Sequence, residues 1–213
     1  MKGDKMKREF LITTLFVDIG GVLLTDGWSH RSRKLAAKKF NLNREEMENR
    51  HSQAFDTYEL DKLTTEEYLN RVVFYEKRSF THAQFRKFMF DQSKPFPEMI
   101  ELMRQLKAQY GLKIVALSNE ARELNSYRIK KFKLNELIDF FISSCYVHLR
   151  KPDFDIFQLA LDTTQASTKQ IVYIENTTMF VRIAESLGIK SILHTDYKST
   201  CAKLSEFRLR IIE

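Results

Sequence analysis

Asp18 closes the apolar run Leu15-Phe16-Val17 and is followed by Ile19 and by Gly20-Gly21. A strand that delivers a carboxylate into a glycine-lined turn places a nucleophile or a metal ligand where a substrate can approach the backbone. Three more polar clusters close or follow apolar runs. Ser118-Asn119 ends the run from Lys113 to Leu117, Glu175-Asn176 ends the run from Ile171 to Ile174, and Lys151-Pro152 comes a short loop after 138–143. A carboxylate can attack phosphorus or carbon and form a covalent intermediate. A hard cation held by carboxylate oxygens would offset the charge between that nucleophile and a phosphate. A serine hydroxyl and backbone N–H groups would hold phosphoryl oxygens. A fixed lysine would lower the Asp18 pKa and stabilise charge in the transition state. A carboxylate two residues after Asp18 would be the natural proton donor, and Gly20 stands there instead.

Such a set works only if the fold gathers it. Five short apolar segments, 10–18, 112–118, 138–143, 171–175 and 189–194, read as buried parallel strands. Helical patterns separate them, which predicts an α/β fold with right-handed crossovers. In an open parallel sheet, ligands bind outside the carboxyl ends of the strands, so all four clusters would share one edge. Pro97 begins and Gly111 ends one of the helices.

The first connection is much longer than the dozen or so residues that a crossover needs. It carries four amphipathic helices, near 29–40, 44–59, 65–77 and 82–91. Asn43 and Thr64 or Thr65 are the expected N-caps, with Glu46 and Glu67 placed for reciprocal capping. The excess predicts a helical cap, 28–94, set over a core made of 9–27 and 95–213, with 1–8 a loose tail. Phe55, Tyr58, Tyr68, Phe74, Tyr75, Phe85, Phe88 and Phe90 are the expected core of that cap. Trp28 either lines the pocket under it or packs against it.

The bulk properties bound the function. The chain has 213 residues, 43% hydrophobic and 30% charged, which suits one core domain plus an insertion. No apolar run approaches the ~20 residues that cross a bilayer. The charged start, Met1 to Arg8, is not a secretory signal. Cys145 and Cys201 are too few for a disulfide framework and suit reduced thiols in the cytoplasm. The net charge is +7, but its densest group, Arg31, Arg33, Lys34, Lys38 and Lys39, reads as a solvated helix face. Neither nucleic acid nor membrane is expected as a partner. Cys145 reads as a small buried hydrophobe, His148 as structural, and Met179 and Phe180 as core.

In this order, Leu15–Leu23, Leu117-Ser118-Asn119, Arg150-Lys151-Pro152 and Val172–Asn176 followed by Ala184–Ile189 resemble the four motifs of the haloacid dehalogenase-like hydrolase superfamily. The resemblance implies a Rossmann-like core of five mainly parallel strands, a covalent aspartyl intermediate and Mg²⁺. It implies Asp18, Ser118 and Lys151 as catalytic residues. Gly21, Asn119 and Trp28 would contact substrate. Asp18, the Gly20 carbonyl, Glu175 and Asn176 would hold the metal. The Asp-Xaa-Gly-Gly start and Ser118-Asn119 are most similar to the branch of glucose-1-phosphate-type sugar phosphatases. The expected substrate is a small phosphorylated metabolite, and the expected assembly a monomer or homodimer.

Two departures from that pattern matter. Relatives carry an acid where Gly20 stands, so Asp26, His30 or a cap residue would have to replace it, and turnover is expected to be slow. Relatives commonly carry two aspartates where Glu175-Asn176 stands, which predicts weaker Mg²⁺ binding. A metal-independent dehalogenase-type hydrolase is the first alternative, since a halide leaves without a proton. A degenerate member that only binds a ligand or partner is the second.

Overall fold

Strand β1 (Thr14–Val17) lies at the centre of a five-stranded sheet, and none of its residues is exposed. The structure, a computed structural model, describes residues 11–211, so the expected tail at 1–8 lies outside the described residues. The other strands are β2 (Lys113–Ser118), β3 (Phe140–Ser143), β4 (Ile171–Glu175) and β5 (Lys190–Leu193). Their order is β3-β2-β1-β4-β5, and every pair is parallel. Burial on both faces is why β1, β2 and β4 read as continuous apolar runs. One cluster, with Leu15, Val17, Leu102, Leu106, Ile114 and Val172, fills one face of the sheet. A second, with Phe16, Val115, Ile156, Phe157 and Tyr173, fills the other.

The chain leaves β1, builds outward through β2 and β3, then returns to the other side of β1 as β4. That reversal opens a crevice at the carboxyl ends of β1, β2 and β4. The register aligns those ends: Val17 faces Ala116 on one side and Ile174 on the other. Asp18, just beyond, continues the ladder by donating its N–H to the Ile174 carbonyl at 3.0 Å.

Four helices follow β1: α1 (His30–Lys39), α2 (Arg44–Glu59), α3 (Thr65–Val72) and α4 (His82–Asp91). Their apolar faces make a third cluster, which includes Trp28, Tyr58, Tyr68, Phe85 and Met89. Thr64 and Glu67 form a full capping box. Asn43 caps α2, but Glu46 turns away from the reciprocal bond and pairs with Arg50 at 2.5 Å. Helix α3 stops at Val72 rather than continuing to 77. The Leu69 carbonyl accepts from both Val73 and Phe74, and Arg78 takes the Val73 carbonyl at 2.7 Å. Phe74 then stacks on His82 with ring centroids 3.7 Å apart, so packing overrides the helical pattern. Tyr75 stays out of the aromatic cluster and lies under the Arg50 guanidinium, 3.7 Å from its ring centre.

Helix α5 (Pro97–Tyr110) starts at its proline and ends on Gly111 at φ +64°, as the sequence predicts. The remaining helices are α6 (Arg122–Lys131), α7 (Ser144–Val147), α8 (Phe154–Thr164), α9 (Thr178–Ser186) and α10 (Tyr197–Glu206). Among the described residues, no helix is long and apolar enough to cross a membrane.

Candidate active site

Lys151 is 1% exposed, and its ammonium joins two carboxylates. Its Nζ lies 3.2 Å from Asp18 Oδ1 and 2.6 Å from Glu175 Oε2. It also reaches the Tyr173 hydroxyl at 3.2 Å, and that hydroxyl donates to Glu175 Oε2. One cation therefore serves two buried anions. Burial, then the Glu175 charge, push Asp18 up to about 7 against the pull of Lys151 and of the nearby Ser118 hydroxyl. Burial alone would lower Lys151, but Asp18 and Glu175 outweigh it and hold the ammonium above its ordinary range.

The loop before Lys151 is clamped by Asn119. Its Oδ1 accepts from the Lys151 N–H and its Nδ2 donates to the Lys151 carbonyl, both at 2.8 Å. Asn119 lines the cavity as expected of a substrate contact, yet both ends of its amide are engaged in holding Lys151. Ser118 is buried at the end of β2, and its hydroxyl donates to Glu120 Oε1 at 3.4 Å.

A cavity of about 380 Å³ opens over these groups. Asp18, Gly20, Ser118, Asn119, Lys151 and Asn176 form its floor. Glu175 is fully buried and does not line it; its Oε1 accepts from the Thr177 N–H at 2.9 Å. Trp28 does line it, with its ring nitrogen bonded to the Tyr68 hydroxyl at 2.8 Å. Phe180 also lines it, 5.0 Å from the Lys151 ammonium, and Met179 is exposed, so neither belongs to the core as expected.

Gly21 corrects the sequence reading. Its N–H donates to the Leu24 carbonyl at 2.6 Å, closing a turn, and the residue does not line the cavity. The glycine is required for another reason. At φ +79°, a Cβ there would lie 2.0 Å from Asn176 Nδ2. Gly21 thus lets Asn176 sit against the turn.

That contact bears on the metal. In one orientation the Asn176 amide donates to Asp26 Oδ1 at 3.4 Å. Its oxygen then faces Glu175 Oε1 and the Gly20 carbonyl oxygen; flipped, its nitrogen donates to them at 2.9 and 3.2 Å. The Asp18 carboxylate, the Gly20 carbonyl and the Asn176 amide line one stretch of the cavity, and oxygen donors of these kinds suit a hard divalent cation. Asn176→Asp should therefore tighten Mg²⁺ binding, because an added charge there is unopposed until the cation arrives. Calorimetric titration checks this, with equal or weaker affinity as the contrary result.

Two ion pairs at the cavity wall, one buried and one half-buried, are absent from the sequence reading. Glu120 pairs with Arg128, whose other nitrogens bond Ser93 Oγ at 3.0 Å and the Thr25 carbonyl at 2.9 Å. Glu59 bonds Arg150 at 2.6 Å, tying the end of α2 to the loop before Lys151. The one local signal for Arg128 is Gly27, at φ +64°, where a Cβ would lie 2.0 Å from Arg128 Nη2.

Of the expected replacements for an acid at position 20, Asp26 is in place and His30 is not. Asp26 Oδ1 lies 3.7 Å from where a Gly20 Cβ would be, inside the cavity lining. His30 is on the surface beside Arg44 at 2.9 Å and Glu48 at 3.8 Å. His148 bonds the Leu60 carbonyl at 2.9 Å and is structural. Cys145 is buried, and burial pushes its thiol up to about 12, so it is unreactive.

Comparison with known proteins bears on the family and the fold. The chain is 23% identical to bifunctional epoxide hydrolase 2 of Sus scrofa, over 89% of its own length but 37% of that protein's. It is 25% identical to a sesquiterpene phosphatase of Aspergillus oryzae over 53% of its length and 57% of that protein's. The chain thus spans well under two thirds of these curated relatives. A HAD family enzyme of Bacteroides thetaiotaomicron, solved with magnesium and inorganic phosphate, has the same fold (TM-score 0.72, 18% identity, 86% of this chain and 94% of that one). So does L-2-haloacid dehalogenase of Xanthobacter autotrophicus with chloropropionic acid covalently bound (TM-score 0.62, 15% identity, 95% and 90%). Residues 12–188 match the family model for haloacid dehalogenase-like hydrolases, and the chain belongs to that family.

Proposed function

We propose that the chain is a Mg²⁺-dependent phosphomonoesterase of a small phosphorylated metabolite, with Asp18 as nucleophile. The observation that carries this reading is the floor of the cavity. A buried carboxylate touches one lysine there, with the Gly20 carbonyl and Asn176 in the same lining. The magnesium and phosphate bound by the Bacteroides enzyme support the choice of cation and anion.

In this reading Asp18 attacks phosphorus while the bond to the ester oxygen breaks. Lys151 and Ser118 hold the phosphoryl oxygens, and Asn119 holds Lys151. Asp26 gives its proton to the departing oxygen. It then takes one from the water that attacks phosphorus, which frees Asp18 and releases inorganic phosphate. Asp18, the Gly20 carbonyl and Asn176 would hold Mg²⁺, with Glu175 behind them, and the cation when bound would offset charge between nucleophile and phosphate. Residues 28–94 act as a cap over the cavity.

A panel of phosphate esters, assayed for phosphate release with and without Mg²⁺, tests the reading. Release that stops in EDTA supports it. Asp26→Asn should slow ester hydrolysis about 100-fold, the usual worth of a positioned acid–base group. Acetyl phosphate, whose leaving group needs no proton, should be affected far less. Equal losses on both would remove Asp26 from this role.

One observation favours a second reading. Gly20 offers no acid, which a dehalogenase does not need. Halide release from a 2-haloacid that persists in EDTA would select that reading.

A further inference from the structure

The wall opposite the floor is built for an apolar group. Trp28, Phe55, Tyr58, Met89 and Leu124 face the cavity from four parts of the chain. The polar atoms among them are already paired within the protein. The Tyr58 hydroxyl bonds Thr65 Oγ1 at 2.9 Å. Arg33 is held by Glu48 and by the Trp28 carbonyl, both at 2.8 Å. Glu59 and Glu120 are held by Arg150 and Arg128.

His51 is the exception. Trp28 Nε1 can only donate, so the Tyr68 hydroxyl accepts from it at 2.8 Å. The single Tyr68 proton then goes to His51 Nδ1, 2.7 Å away. This places the imidazole proton on Nε2, which has no partner among the described residues. Burial, then Arg33, lower the ring to about 4, so it is neutral at pH 7. The wall thus offers one fixed donor within an aromatic surface.

A sugar phosphate would bring several hydroxyls against this surface. Each hydroxyl left unpaired costs about 1–3 kcal/mol. An alkyl or aryl group instead gains from every carbon it buries. The cavity, about 380 Å³, lies at the small end of the range for ligand pockets, roughly 300–1,000 Å³.

We propose that this wall selects phosphomonoesters of apolar alcohols over those of sugars, with His51 meeting at most one acceptor on the organic group. The proposal rests on the phosphomonoesterase reading. It replaces the sugar phosphate expected from the sequence with an alkyl, aryl or similarly apolar ester.

Phosphate release from octyl phosphate, glucose 6-phosphate and acetyl phosphate in Mg²⁺ separates the two levels. The expected kcat/KM for octyl phosphate exceeds that for glucose 6-phosphate at least tenfold. Turnover of acetyl phosphate with a preference below threefold overturns the wall assignment and leaves the phosphatase reading standing. No phosphate from any of the three overturns both. Phe55→Ser, at a half-buried position, should lower the octyl-to-glucose ratio at least fivefold. An unaltered ratio in a folded variant also overturns the assignment, and the wild-type ratio decides the matter if that variant does not fold.

Discussion

Asp18→Asn abolishes turnover of every substrate the chain accepts and at the same time makes the folded chain more stable. The loss follows from the nucleophile: an amide oxygen neither attacks phosphorus nor leaves from it as a carboxylate does. The gain follows from burial. Asp18 is raised from its ordinary 3.8 to about 7, so the folded chain holds its proton more tightly than the unfolded chain. The Asp18 contribution to wild-type stability therefore falls as pH climbs from about 4 to about 7 and stays lowered above that. The neutral variant escapes this loss. In EDTA at pH 8 its Tm should exceed that of the wild type by at least about 2 °C, and the gap should close toward pH 4. Thermal melts across pH, together with phosphate release, check both halves. Unchanged turnover, or a lower Tm at pH 8, contradicts the account.

Lys151→Met acts on activity and stability in the same direction. Activity should fall about 10³-fold, as when a preorganised electrostatic donor is removed. Stability should fall by about 3–5 kcal/mol, because Asp18 and Glu175 are left buried without their cation. Adding Glu175→Gln removes one of those charges and should recover at least half of the lost stability without recovering activity. Denaturant unfolding of the single and double variants measures the coupling. A Lys151→Met chain as stable as the wild type would mean that the ammonium is not what offsets the two carboxylates.

The sheet and its active edge were legible because buried parallel strands leave a strong trace. The runs ending at Val17, Leu117 and Ile174 are apolar on both faces, and each stops at a polar residue. That pattern located Asp18, Ser118 and Glu175 without any knowledge of the turns. Lys151 was legible from its place before Pro152. Contacts set by side-chain direction left no such trace. Arg128 on α6 has charged neighbours in sequence and no pattern that marks it, yet it is buried against Glu120, Ser93 and the Thr25 carbonyl. Tyr173 reads as one more strand residue, and only the fold turns its hydroxyl onto Glu175. Gly21 was read as a place for substrate to meet backbone; its N–H is taken by Leu24, and its missing Cβ makes room for Asn176. The early stop of α3 has the same origin, since Phe74 is drawn onto His82 by packing that no local periodicity encodes.

In the proposed reaction the phosphoryl group passes through Asp18, and trapping it there tests the account most directly. The chain is acid-quenched while turning over acetyl phosphate in Mg²⁺, then reduced with borohydride, which converts an aspartyl phosphate to homoserine. Peptide mapping by mass spectrometry should find homoserine at position 18 and nowhere else. Steady phosphate release with position 18 still aspartate, or homoserine at Asp26, would contradict it.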